Sequence, residues 1–96
     1  MPYKDNSSDW MFFADSDLKT AQAILADSLY HMVCFHSQQA IEKSFKALLR
    51  HHGHNIPRTH SLTKLASDLK RLNLLPSNIN AEDFIFVDQF YSPTRY

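Results

Sequence analysis

The chain has 96 residues, no net formal charge, a hydrophobic fraction of 44% and an aromatic fraction of 12%. That length allows one modest core, and that composition excludes an intrinsically disordered chain, which pairs low hydrophobicity with high net charge. A single Gly argues against a turn-rich sheet protein, a lone Cys34 excludes an internal disulfide, and no apolar run nears the roughly 18 residues of a membrane span.

The first predicted helix runs from about Ser8 to Asp27, with Ser7 or Ser8 as its cap and Asp9 in the first turn, where the helix dipole favours an anion. Ala14, Leu18, Ala21, Leu25 and Leu29 repeat at helical spacing and mark its inner face. The second helix runs from about Leu29 to His52. Its apolar stripe is Tyr30, Val33, Cys34, Ser37, Ile41, Phe45 and Leu48, and Gly53 is its natural stop.

Pro57 blocks helix in the following loop. The third helix spans about Ser61 to Leu72, with Thr59 or Ser61 as cap and Leu62, Leu65, Ala66, Leu69 and Leu72 as a regular stripe. The fourth spans about Ala81 to Tyr91, capped by Asn80 and ended by Pro93. A short strand over Phe84 to Val87 is the alternative there, given the strand propensity of Phe-Ile-Phe-Val.

No linker, repeat or low-complexity tract interrupts the sequence, so residues 1–96 read as one domain. Four helices with short connections predict an all-α, up-and-down antiparallel bundle. The fourth helix is aromatic on more than one side, so Phe84, Phe86 and Phe90 are expected at an interface with another subunit.

Charge is unevenly placed. Residues 1–42 carry net −4, residues 43–71 carry net +6 and residues 72–96 carry net −2. Either the basic middle forms a local anion-binding surface, or it complements acidic neighbours within or between subunits.

Three constellations can carry chemistry. Gln38, Gln39, Glu42, Lys43 and Lys46 form a polar band off the apolar stripe of the second helix. The band either contacts a nucleotide or partner, or bonds to the first helix at Asp17; Glu42 and Lys46 also have the spacing of a helical ion pair. Arg58, His60 and Lys64 surround the start of the third helix, a position that attracts anions, and imidazole can exchange protons near neutral pH. The opposing reading has His60 bonding backbone and fixing the turn. His51, His52, His54 and His60 cluster in sequence as well, but adjacent His51 and His52 diverge on a helix and no acidic or Cys ligand lies between them, so no metal site is expected. A single Gly also excludes a glycine-rich phosphate loop, and no cofactor is expected.

The run Phe35-His36-Ser37-Gln38-Gln39-Ala40-Ile41-Glu42-Lys43-Ser44-Phe45-Lys46-Ala47-Leu48-Leu49 resembles the central helix of the HEPN family, with its aromatic, Gln-Gln-Ala, Glu-Lys and Lys-Ala-Leu pattern. Thr59-His60-Ser61-Leu62 resembles that family's Thr-His-Ser/Asp-Leu element. Asp17-Leu18 with Ala21 is similar to its first helix, and Tyr91 with Arg95-Tyr96 to its tyrosine and Arg-Tyr-Pro elements. The family usually has five helices, and the element after Arg-Tyr-Pro is not part of these 96 residues.

The lone cysteine points to a reducing, cytoplasmic setting and the aromatic fourth helix to a homodimer, and the resemblance implies a binding module that handles nucleotide or RNA beside a minimal nucleotidyltransferase in a toxin–antitoxin-like pair. Arg95 joins the polar band and Arg58, His60 and Lys64 as a candidate contact. The alternative is a metal-independent ribonuclease with His60 as base and Arg58 as stabiliser. HEPN ribonucleases carry Arg, four to six residues, then His. Here Arg50 and His54 have three residues between them, Arg58 and His60 have one, and no His follows Arg71 or Arg95.

Overall fold

The computed structural model describes residues 5–27 and 29–91. It contains α1 (Ser7–Ile24), α2 (Tyr30–His51), α3 (Leu62–Arg71) and a last turn, α4 (Ile85–Asp88). No strand occurs among the described residues, so the all-α expectation holds and Phe84 to Val87 is not a strand. Helix α1 packs along α2, α2 packs on α3, and the last segment lies across α2 and α3.

Helix α1 begins one residue earlier than the sequence suggested, with Asn6 at the cap position. Ser7 and Ser8 are already helical, and the Asp5 carboxylate accepts from the Ser7 N–H at 2.9 Å. Only Ala14 and Ala21 of the expected α1 stripe are buried. These small side chains, two turns apart, let α1 approach α2 closely, while Leu18, Leu25 and Leu29 remain about half exposed.

Helix α2 ends as expected. Gly53 has φ of +83°, and its N–H and that of His54 bond back to the carbonyls of Arg50 and Leu49. Nothing lies within 4 Å of a Cβ built on Gly53, so backbone conformation alone demands glycine there. Asn73 does the same work after α3 with φ of +60°, and the Leu74 N–H reaches the Leu69 carbonyl at 2.8 Å.

The α3 stripe is the centre of the core. Leu62, Leu65, Ala66 and Leu69 are fully buried, and Leu49 of α2 joins Leu65 and Leu69 under a shell of Phe45, Leu48, Leu72, Leu74 and Leu75. The α2 stripe requires a correction. Its buried residues are Gln38, Glu42, Lys46, Ala47 and Leu49, whereas Val33, Ile41 and Phe45 are only half-buried and Tyr30 is exposed. Helix α3 packs on α2 around Leu49, Phe45 and Leu48, while Ile41 and the other side of Phe45 border an open groove.

The fourth element also differs. A 3-10 turn (Ala81–Phe84) precedes α4, and the two together replace one continuous helix. Aromatic and β-branched residues have weak helix propensity, and nothing in this segment is buried deeply enough to compensate. The segment is held at its start by the Lys70 ammonium, which donates to the Ser77 and Ile79 carbonyls and to Asn80 Oδ1 at 3.1, 2.7 and 3.2 Å. Pro93 lies outside the described residues.

Core and surface positions should separate cleanly in denaturant titrations. Leu69→Ala is expected to cost about 2 to 5 kcal/mol, as large-to-small changes at sealed sites do. Phe86→Ser, at a side chain 63% exposed, should shift stability by no more than about 0.5 kcal/mol.

Candidate functional site

Glu42 sits one turn after Gln38 and one turn before Lys46 on α2, and all three side chains face the interior. A buried carboxylate needs donors around it. Lys46 donates to Glu42 Oε2 at 2.8 Å, and His60 Nδ1 meets the same oxygen at 3.0 Å. Because a carboxylate only accepts, Nδ1 is the donating nitrogen of His60, which leaves Nε2 for other contacts. Gln38 donates to the His60 carbonyl at 2.8 Å, so α2 grips this residue by both side chain and backbone. Gln39 donates to Gln38 Oε1 at 2.7 Å, and the Lys46 ammonium lies 5.7 Å from the Trp10 ring of α1. The network thus ties three segments to one carboxylate.

The outer part of His60 has a different setting. Its side chain is 54% exposed, and its ring stacks on Tyr91 with centroids 4.3 Å apart. Phe35 lies on a parallel plane 6.4 Å from Tyr91. His60, Ser61, Asp88 and Tyr91 line a recess of about 290 Å³. It presents an imidazole, a phenol, a hydroxyl and a carboxylate within a space of small-ligand size.

The N-terminus of α3 is not open to an incoming anion in this conformation. Asp88 accepts from the Leu62 N–H at 2.7 Å, the Thr63 N–H at 3.0 Å and the Ser61 hydroxyl at 3.2 Å. Ser61 also accepts from the Lys64 N–H at 3.2 Å, as its expected role as cap requires. Donors that would greet a phosphate are thus taken by a carboxylate from a residue 26 positions away in the chain.

A larger groove of about 440 Å³ runs beside Leu18, Ala40, Ile41, Phe45 and Phe84, with Ser37 and Ser44 on its floor. It holds no titratable group, so the acid–base chemistry belongs to the His60 recess.

A sequence model of the HEPN domain matches residues 7–96. This chain belongs to the HEPN family. Comparison with curated proteins and with solved structures gives no significant match. Membership marks the protein as a helical module of nucleotide- and RNA-related type.

Within this HEPN domain, the residues singled out from the sequence divide into groups. Gln38, Gln39, Glu42, Lys46 and His60 come together, and the first, third and fourth of these are interior, not a surface band. Lys43 leaves that group. It pairs with Asp17 of α1, which also meets His36 Nδ1 at 3.0 Å. Lys64 is exposed and committed to Asp68 at 3.0 Å, and Arg58 is exposed. Burial works against the Asp68 charge, but hydrogen bonds from Lys64 and Arg71 outweigh it and hold the carboxyl below its ordinary range. Phe84 packs edge-on to Phe45, Phe86 is exposed, and Phe90 is half-buried 5.2 Å from Phe86. His51 turns away to Asp5, so the loop histidines do not converge. Arg95 lies outside the described residues.

Sequence reasoning missed Asp88 as a cap and His36 as a partner of Asp17. Neither is signalled by local spacing, since both contacts join separate helices.

The Glu42–Lys46 pair should behave as a buried ion pair in double-mutant cycles. Either Lys46→Met or Glu42→Leu alone is expected to cost about 3 to 5 kcal/mol, because each strands a charge in the interior. Their combination should cost clearly less than the two added together, as urea unfolding would show.

Proposed function

We propose that this HEPN domain is a non-autonomous binding module that receives a nucleotide or RNA at the His60 recess. In this reading it acts as a homodimer and works beside a minimal nucleotidyltransferase, in a toxin–antitoxin-like pair.

His60 carries the proposal. Its Nδ1 is spent on Glu42 and its carbonyl on Gln38, yet over half of its side chain meets solvent beside the Tyr91 ring. A core that holds this residue by its ring and by its backbone and leaves Nε2 outward has prepared a polar contact rather than filled a void. Exposed Arg58 and the basic excess of residues 43–71 supply positive potential nearby in the chain. A homodimer is supported by the apolar groove and by the exposure of Phe12, Tyr30 and Phe86. The nucleotidyltransferase partner rests on the family resemblance.

One observation favours a second reading, a metal-independent ribonuclease. The Glu42–His60 contact orients an imidazole as a base would need. The missing Arg-x(4–6)-His spacing weighs against it.

Titration of the isotopically labelled protein with AMP, GMP and a short single-stranded RNA decides between them. Binding should move the amide signals of Ser61 and Tyr91, and His60→Ala should weaken it about tenfold, the effect of one hydrogen bond to a charged group. Unmoved signals at millimolar ligand contradict the binding reading. RNA cleaved without added metal by the wild type, and intact with His60→Ala, favours the ribonuclease.

A further inference from the structure

We infer that residues 85–91 are a lid on the His60 recess, hinged at Phe84 and latched by Asp88 onto the first turn of α3. The lid's bearing on function rests on the reading that this recess receives the ligand; its existence does not.

The recess is made from two sides. His60 and Ser61 belong to the bundle, and Asp88 and Tyr91 belong to the segment that crosses it. Any movement of that segment therefore changes the recess while leaving the Glu42–His60 contact in place. Tyr91 covers one face of the His60 ring, so opening uncovers a flat, carboxylate-anchored imidazole for a planar ligand to stack upon.

The attachments of the segment are graded along its length. Its near end is firm. Lys70 clasps the loop before it through three oxygens, Asp83 accepts from the Asn80 N–H at 2.9 Å, and Phe84 packs edge-on to Phe45 with centroids 5.2 Å apart. At Phe84 the backbone leaves regular helix, with φ of −105° and ψ of 2°, where the 3-10 turn meets α4. That is where a change of direction is absorbed.

Beyond the hinge the segment's apolar contacts are partial: Tyr91 stacks on His60 and beside Phe35, and Val87 and Phe90 are half-buried. None of its residues is buried, and Ile85 and Phe86 are 55% and 63% exposed. Segments with few buried contacts open locally at free energies below that of global unfolding. The latch is polar and concentrated in one side chain, since Asp88 alone accepts from Ser61, Leu62 and Thr63. The amides of Leu62 and Thr63 stand at the start of α3, where no helical carbonyl is available to them. Burial also shields Leu62, so the half-buried Thr63 amide is the cleaner report of the latch.

Amide hydrogen exchange on the whole chain tests the lid without any ligand, so its result is independent of whether nucleotide binds. In the wild type, Leu62 and Thr63 should exchange together with Gln89, Phe90 and Tyr91, and faster than Lys64 and Leu65, which bond to Ser61. Asp88→Asn should speed the first group about tenfold, the effect of losing a charge-assisted hydrogen bond, and leave Lys64 and Leu65 unchanged. Wild-type Leu62 and Thr63 exchanging as slowly as Leu65 would overturn the lid, because the segment would then open only with the bundle. Equal acceleration of Lys64 and Leu65 in Asp88→Asn would overturn it too, since that is fraying of α3. If Asp88→Asn fails to fold, the wild-type comparison decides alone.

Discussion

Glu42 occupies a place where a bundle would normally put leucine. Its side chain is 4% exposed, and it can stay inside only because Lys46 and His60 share one of its oxygens while Gln39 stands near the other at 3.4 Å. A solitary buried charge would be prohibitively costly, so the surrounding residues are constrained as a set. Lys46 must lie one turn on, the loop must deliver His60, and Gln38 must hold that loop by its carbonyl. The rest of the molecule is arranged around this requirement, including the recess outside His60 and the segment that crosses it.

This constraint explains where the sequence could be read and where it misled. The all-α class was legible because Leu62, Leu65, Ala66 and Leu69 repeat with a single period and do become the sealed core. The stops at Gly53 and the cap at Ser61 were legible for local reasons, since both are satisfied within a few residues. Helix α2 was misjudged because hydrophobicity stood in for burial. Its apolar stripe through Ile41 and Phe45 borders an open groove, while Gln38, Glu42 and Lys46 are inside. A polar residue can be interior only when partners from other segments meet it, and no window along one helix shows that. The last helix shortened to one turn for a similar reason. Its aromatic side chains announce contact but cannot say whether regular backbone or tertiary anchors, such as the Lys70 clasp and the Asp88 cap, will set its shape.

The candidate site was half legible. Glu42, His60 and the two glutamines stand out as a polar pattern, and they do assemble. Asp17 was foreseen as a partner for this band, and Lys43 takes it, but the pattern did not reveal that His36 shares that carboxylate, that Lys64 turns to Asp68, or that Asp88 fills the helix terminus expected to meet an anion. Taken together, these contacts change the picture of a HEPN module from a charged surface to a buried network that presents one imidazole. In the proposed reading, His60, Tyr91 and Ser61 are the groups that would meet a ligand. The separate apolar groove has no part in that chemistry and suits packing against another surface.

The central claim is that the core carboxylate holds a proton on His60 Nδ1. Long-range nitrogen–proton correlation spectra of the imidazole rings at neutral pH measure this directly. The account predicts that His60 carries a proton at Nδ1, and that this preference is lost in Glu42→Leu. A His60 ring protonated only at Nε2, or one averaging both forms like a free imidazole in the wild type, would contradict it.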